Sequence, residues 1–242
     1  MSARTAATAV TAATLLTAAC ASTGTPAPAP ETTTTTNNTP APDPALDPAD
    51  IESTVLAAAK AAHAVHVKGT DVENGTTAAV DLQLNADSGS GTLTTQGTTY
   101  SIILADRVTY LRFTAGVLKS QGIDPNGPRG RTLLNKWVPS TSKAVLADTF
   151  TPYQQILDYT TFVTGTFTVD QDQIVRTGTT SVNGTPVTGY RDTTQHTTAL
   201  VSTASPHYPL RLTGDTGTDL VLSGWNRPVP VTAPAKADVY PG

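Results

Sequence analysis

Apolar and polar residues alternate with a period of two along residues 66–113. Val80, Leu82 and Leu84 are separated by Asp81, Gln83 and Asn85, which gives a strand one apolar face and one wet face. Tyr100, Ile102 and Leu104 repeat the pattern, and Tyr110 and Leu111 carry one more strand. Turn signals lie between these runs: Asn74-Gly75, the Asp-Ser-Gly-Ser-Gly run at 87–91, Gln96-Gly97 and Asp106-Arg107. A tight hairpin needs positive φ at both central residues, and Asn-Gly is the pair that tolerates it best. The segment predicts an antiparallel meander whose apolar face must be covered.

The flanking segments supply the cover. Asp47-Pro48-Ala49-Asp50 reads as a helix start, with an acid at the N-cap and proline at the first helical position. Ile51, Val55, Ala58, Ala59, Ala62 and Val65 then share one face, and their small size predicts close approach to a sheet. Beyond the meander, 115–120 predicts one or two helical turns, and 122–130, with Pro125, Asn126, Gly127 and Pro128, a loop. Residues 142–147 and 152–159 read as helices, with Ile156, Leu157 and Tyr159 as buried positions. Phe162, Phe167 and Val169 then lead back into strand. Asn183-Gly184 closes a second hairpin between 174–182 and 186–193. Strands follow at 197–203, 209–213 and 219–225, and Pro230 restricts Val229 and Val231 to an edge strand. The fold class is α+β, mainly β.

Composition changes the picture mainly at the N-terminus. Residues 1–19 hold Arg4 and a weakly apolar run too short to span a bilayer, as in an export signal. The single cysteine, Cys20, follows Leu16-Thr17-Ala18-Ala19. This resembles the lipobox of bacterial lipoproteins, although Leu16 stands four residues before the cysteine rather than three. The resemblance implies diacylation of Cys20 and a firm anchor on the outer face of the cytoplasmic membrane, since two acyl chains hold where one is marginal. Residues 20–46 are a Thr/Pro-rich tether with too few apolar side chains to offset the entropy of ordering. Residues 47–242 remain as one folded domain. A net charge of −4, with 14% charged residues, argues against a nucleic-acid partner.

Little in the sequence reads as reaction chemistry. Ser140-Thr141-Ser142-Lys143 matches the Ser-x-x-Lys of penicillin-binding proteins, and Arg176-Thr177-Gly178 approximates their Lys-Thr-Gly strand. The only Ser-x-Asn, at 181–183, lies after that strand instead of between the two motifs, so no catalytic residue is assigned and the chain is not expected to be an enzyme. His63 and His66 lie three apart at a helix end without further ligands at metal spacing. His196 and His207 have no evident carboxylate partner. No cofactor or metal is expected. Lys119, Arg129, Arg131 and Lys136 make one region locally basic. They read either as a solvated loop or as a contact for anionic lipid headgroups.

The covering helices offer few large side chains, with alanine at 57, 58, 59, 61 and 62. Such helices leave trough volume over the meander. An apolar cavity is expected between Val80, Leu82, Leu84, Ile102 and Leu104 on the sheet and Val117, Leu118, Leu146, Ile156 and Leu157 on the helices. Trp137 is expected near its mouth.

Three stretches together resemble the LolA-like lipoproteins of actinobacteria, the LppX/LprG group. They are the helix with its meander; Lys136-Trp137-Val138 followed by residues 150–157; and residues 182–190 with Tyr208-Pro209-Leu210-Arg211-Leu212 and residues 225–229. The resemblance implies a curved antiparallel half-barrel covered on its concave face by helices. It implies binding and carriage of acylated lipids or lipoglycans, and no catalytic residue. The other reading is a structural or protein-interaction lipoprotein of the envelope, with a filled core and an envelope protein as its partner.

Overall fold

The computed structural model describes residues 45–145, 147–168 and 173–241. Residues 1–44, where a leader, Cys20 and a tether are expected, lie outside these residues, as do Leu146 and Val169. Among the described residues the elements run α1 (Ile51–Ala62), β1 (Ala64–Glu73), β2 (Thr76–Asn85), β3 (Gly89–Thr95), β4 (Thr98–Ala105) and β5 (Val108–Arg112). Then come α2 (Ala115–Ser120), α3 (Pro128–Leu133), β6 (Trp137–Pro139), α4 (Thr151–Leu157) and α5 (Tyr159–Phe167). The last strands are β7 (Ile174–Val182), β8 (Thr185–Asp192), β9 (Thr197–Ser202), β10 (Pro209–Gly214) and β11 (Asp219–Ser223).

All eleven strands form one open antiparallel sheet in the order β6-β5-β4-β3-β2-β1-β11-β10-β9-β8-β7. It is two meanders that meet in the middle, where β1 pairs with β11. The meanders follow from their turns. Asn74 and Gly75, Gln96 and Gly97, Asp106 and Arg107, and Asn183 and Gly184 all have positive φ at both positions, which matches the twist of the flanking strands. The register then fixes the inner face. Val65 stands opposite Leu84, Val67 opposite Leu82, and Ile102 opposite Leu111; all six are buried. The helices pack on this face, and they share one hydrophobic core with it.

Several elements differ from the sequence expectation. Pro48 lies in a turn before α1, closed by Asp50 N–H donating to the Asp47 carbonyl and Ala49 N–H to its carboxylate. The helix ends at Ala62 because His63 takes the left-handed conformation, φ +58°; Val65 therefore belongs to β1. Residues 128–133 are helical, with Pro128 at the helix start. A Cβ at Gly130 would lie 2.0 Å from the Asp124 carbonyl oxygen, so α3 packs closely on the preceding loop. The described residues of 142–147 form no α-helix; Ala147 opens a short 3-10 turn, Ala147–Thr149. Phe162 and Phe167 lie in α5, not in a strand. Asp158 caps that helix through Thr161 N–H, and Tyr159, Val163 and Phe167, spaced by four, are its buried stripe. Among the described residues, Val229 and Val231 pair with no strand. Pro228 and Pro230 lack N–H groups, and the Asn85 side chain holds Val229 at both its N–H and its carbonyl.

The two sheet edges differ. Beside β6, Val239 bridges Trp137, and Tyr240 N–H donates to the Trp137 carbonyl at 2.8 Å. At the far edge, residues 175–181 of β7 are exposed.

Candidate functional site

The middle of the sheet carries inner-face positions without bulk. Gly69 stands opposite Val80, Gly91 opposite Leu82, and Ala78 opposite Asp71. Gly69 has φ +148°, and a Cβ there would lie 2.0 Å from the Asp219 carbonyl oxygen of β11. The close approach of β1 and β11 thus requires glycine, and that glycine leaves the inner face bare.

Between this part of the sheet and α4–α5 lies a partly open cavity of about 340 Å³, lined by Val67, Val80, Leu82 and Leu93 from β1–β3, and by Leu212 and Leu220 from β10 and β11. Ile156 and Phe162 close it from α4 and α5. One rim is polar: Asp71, Gln195, Thr213 and Thr218. There Thr218 Oγ1 donates to Asp71 Oδ1 at 3.2 Å and accepts from Val72 N–H at 3.0 Å. A greasy interior with a few hydrogen-bonding groups at one end suits a ligand with an apolar body and a polar head. A second, smaller cavity of about 70 Å³ lies by α1, lined by Ile51, Val55, Phe167 and Tyr190; Thr166, Thr197 and Leu212 line both. Buried Asp192 borders the smaller one. Its Oδ1 accepts from Thr194 and Gln195 N–H, at 2.8 Å each, which shapes the β8–β9 turn.

Tyrosine hydroxyls fix the cover. Tyr159 OH donates to the Ala59 carbonyl, tying α5 to α1. Burial, with Tyr208 nearby, pushes its pKa up to about 12, so the phenol stays a protonated donor. Tyr190 OH donates to the Leu46 carbonyl at 2.9 Å, and its pKa is raised by burial as well.

The expected cavity residues separate into groups. Val80, Leu82 and Ile156 line the cavity. Leu84, Ile102, Val117, Leu118 and Leu157 are completely packed, none more than 1% exposed. They fill the sheet towards β4 and β5, where α2 and α4 lie on β4 and Tyr100 contacts Tyr153 at 5.6 Å between ring centroids. Leu104 borders a different feature, an open polar cleft of about 810 Å³ with Asp87, Arg107, Gln154 and Asp158 in its wall. Trp137 sits on edge strand β6 under the Arg112 guanidinium, 5.9 Å from the ring centroid, and is not among the residues that line the cavity. Leu146 and Cys20 lie outside the described residues. Leu93, Phe162, Leu212 and Leu220 escaped the sequence reading. Leu93 is a lone apolar residue among threonines, and Phe162 looked like a strand residue. Leu212, two after Leu210, carried the readable signal of alternation.

The remaining motifs have structural partners. Ser140 N–H donates to the Thr109 carbonyl at 2.7 Å, and its Oγ accepts from Thr109 N–H at 3.3 Å, extending the β5–β6 pairing by one residue. His66 Nε2 lies 2.7 Å from Asp81 Oδ1, and Lys68 Nζ 2.8 Å from Asp81 Oδ2. Lys68 and His66 together hold the Asp81 carboxyl below the usual carboxylate range. His196 lies 3.9 Å from the Asp215 carboxylate, which also pairs with Arg191. Among the described residues no group of three metal-ligating side chains converges, and no helix is long and apolar enough to cross a membrane. No protein-family model matches the chain, and no curated protein matches it.

Proposed function

We propose that the chain is an envelope lipoprotein of LolA-like, half-barrel architecture, anchored through diacylated Cys20, that binds and carries an acylated lipid or lipoglycan. The observation that carries this reading is the 340 Å³ cavity between the middle of the sheet and α4–α5. The cavity is partly open, only Val67, Leu82 and Leu220 of its lining being fully buried, so a ligand could enter it. A void of about 150 Å³ accommodates benzene, with six carbons, so this one takes a single acyl chain of about a dozen carbons. The polar rim at Asp71, Gln195, Thr213 and Thr218 supports an outward-facing headgroup. In this reading the chain acts without a cofactor and without catalysis, and binds no nucleic acid.

The rival, a structural or protein-interaction lipoprotein, draws support from the completely packed core around Leu84, Ile102 and Leu118. A block at the cavity separates the two. Ile156 is half-buried and lines the cavity, so Ile156→Trp should fill it, abolish lipid uptake and leave the melting temperature close to that of the parent. Marked destabilisation by Ile156→Trp, with no lipid bound by the parent, would favour the rival.

A further inference from the structure

The charges of this chain are strongly segregated. Residues 112–143 carry six basic side chains (Arg112, Lys119, Arg129, Arg131, Lys136 and Lys143) and one acid, Asp124. The rest of the chain carries nine basic and eighteen acidic side chains. The fold gathers the basic segment at one place. It comprises the end of β5, α2, α3 and β6, and β5 and β6 are the last two strands at one edge of the sheet.

The basic side chains of this edge differ in their partners from those elsewhere. Lys68, Arg191 and Arg211 each pair with an aspartate on the strands. Among the described residues none of the six forms an ion pair. Lys136 Nζ donates to the Ala237 carbonyl at 2.7 Å, Arg129 donates to the Ala144 carbonyl, and Arg112 lies over the Trp137 ring. Each of these contacts leaves the positive charge uncompensated. Arg112, Lys119, Arg129, Arg131 and Lys143 are exposed, and Trp137 is partly so.

We infer that the β6 edge, with α2 and α3, is a surface that docks on an anionic bilayer. The complementary charge is that of anionic phospholipid headgroups, which attract each nearby Lys or Arg. The partly exposed indole of Trp137 among the cations is a side chain favoured at the headgroup level. Backbone pairing is not the binding mode, because Val239 and Tyr240 already cover β6 on its outer side. Docking would hold one edge of the sheet towards the membrane independently of the acyl anchor and of the cavity, so neither of those readings stands or falls with it.

The test uses the full-length chain carrying Cys20→Ala, to remove the anchor. Its partition is measured by co-sedimentation onto phosphatidylcholine vesicles with and without phosphatidylglycerol. The ratio of the two partition coefficients cancels the apolar contribution of the leader, and its Arg4 acts equally in parent and variant. The Lys119, Arg131 and Lys143 side chains are exposed and, among the described residues, make no hydrogen bond or ion pair, so the triple variant K119Q/R131Q/K143Q should melt like the parent. The parent should favour the anionic vesicles strongly at low salt and lose that preference at high salt. The triple variant should lower the ratio by about 100-fold, at roughly fivefold per cation. A parent ratio near one overturns the inference and leaves the edge to an acidic protein partner. A triple variant with the parent's ratio overturns it as well.

Discussion

The inner face of the sheet is filled towards β4 and β5 and hollow in its middle. At the filled end, leucine, isoleucine and phenylalanine side chains interdigitate: Leu84, Ile102, Leu111, Phe113, Val117, Leu118 and Phe150 are all at most 1% exposed. In the middle, Val80, Leu93, Ile156, Phe162 and Leu212 remain only partly buried around a cavity. Both regions use the same alternating pattern and the same hairpins, so period-two patterning places a core without deciding whether it is full.

Truncation should expose the contrast most strongly. Leu84→Ala removes a completely buried side chain from the filled end and should cost about 2–5 kcal/mol. Val80→Ala, at the cavity wall, should cost less than about 1 kcal/mol, since part of its surface already faces empty space. Urea unfolding midpoints of the two variants measure the difference, and equal losses would remove the distinction between the regions.

Enlargement should reverse the ranking. Leu118→Trp overpacks the filled end and should cost about 1–3 kcal/mol, whereas Ile156→Trp should leave the melting temperature nearly unchanged. Backbone geometry gives a related expectation. Gly69→Ala places a Cβ 2.0 Å from the Asp219 carbonyl oxygen at φ +148°, and should cost about 1–3 kcal/mol through strain. It would also push β1 and β11 apart in the middle of the sheet. Amide hydrogen exchange of β1 and β11 should quicken in that variant and stay unchanged in β4 and β5.

The smallest expected effect is electrostatic. Arg211 holds the Asp219 carboxyl below its ordinary value of 3.8. Its pairing therefore contributes stability that is present above the unfolded value and is lost as pH falls through the lower folded value. The pair is close to half exposed, so solvent screening limits it to about 0.5 kcal/mol. Thermal melts of Asp219→Asn against the parent should differ near neutral pH and converge at strongly acidic pH.

Much of the sheet was legible. Asn74-Gly75, Gln96-Gly97, Asp106-Arg107 and Asn183-Gly184 placed four hairpins, because positive φ at two consecutive positions is a local demand that a local signal can state. The helices were less legible because they answer to tertiary contacts. Phe162 and Phe167 sit among threonines, which favour strands, yet α5 forms because Tyr159, Val163 and Phe167 bury one stripe and Asp158 caps it. Pro128 looked like part of a loop, although proline is also suited to a helix start, which is where α3 uses it. At the cavity, Val80, Leu82 and Ile156 were readable from alternation and from the position of α4. The need for glycine at position 69 was not, because it depends on the close approach of β11, a pairing that joins residues 69 and 220.

The central claim is that the hollow middle holds one acyl chain. Native mass spectrometry of the full-length Cys20→Ala chain, alone and after incubation with a single-chain lipid of about twelve carbons, tests it most directly. The account predicts one bound lipid per chain for the parent and none for Ile156→Trp, with both proteins folded. A parent that stays at its bare mass throughout would contradict it.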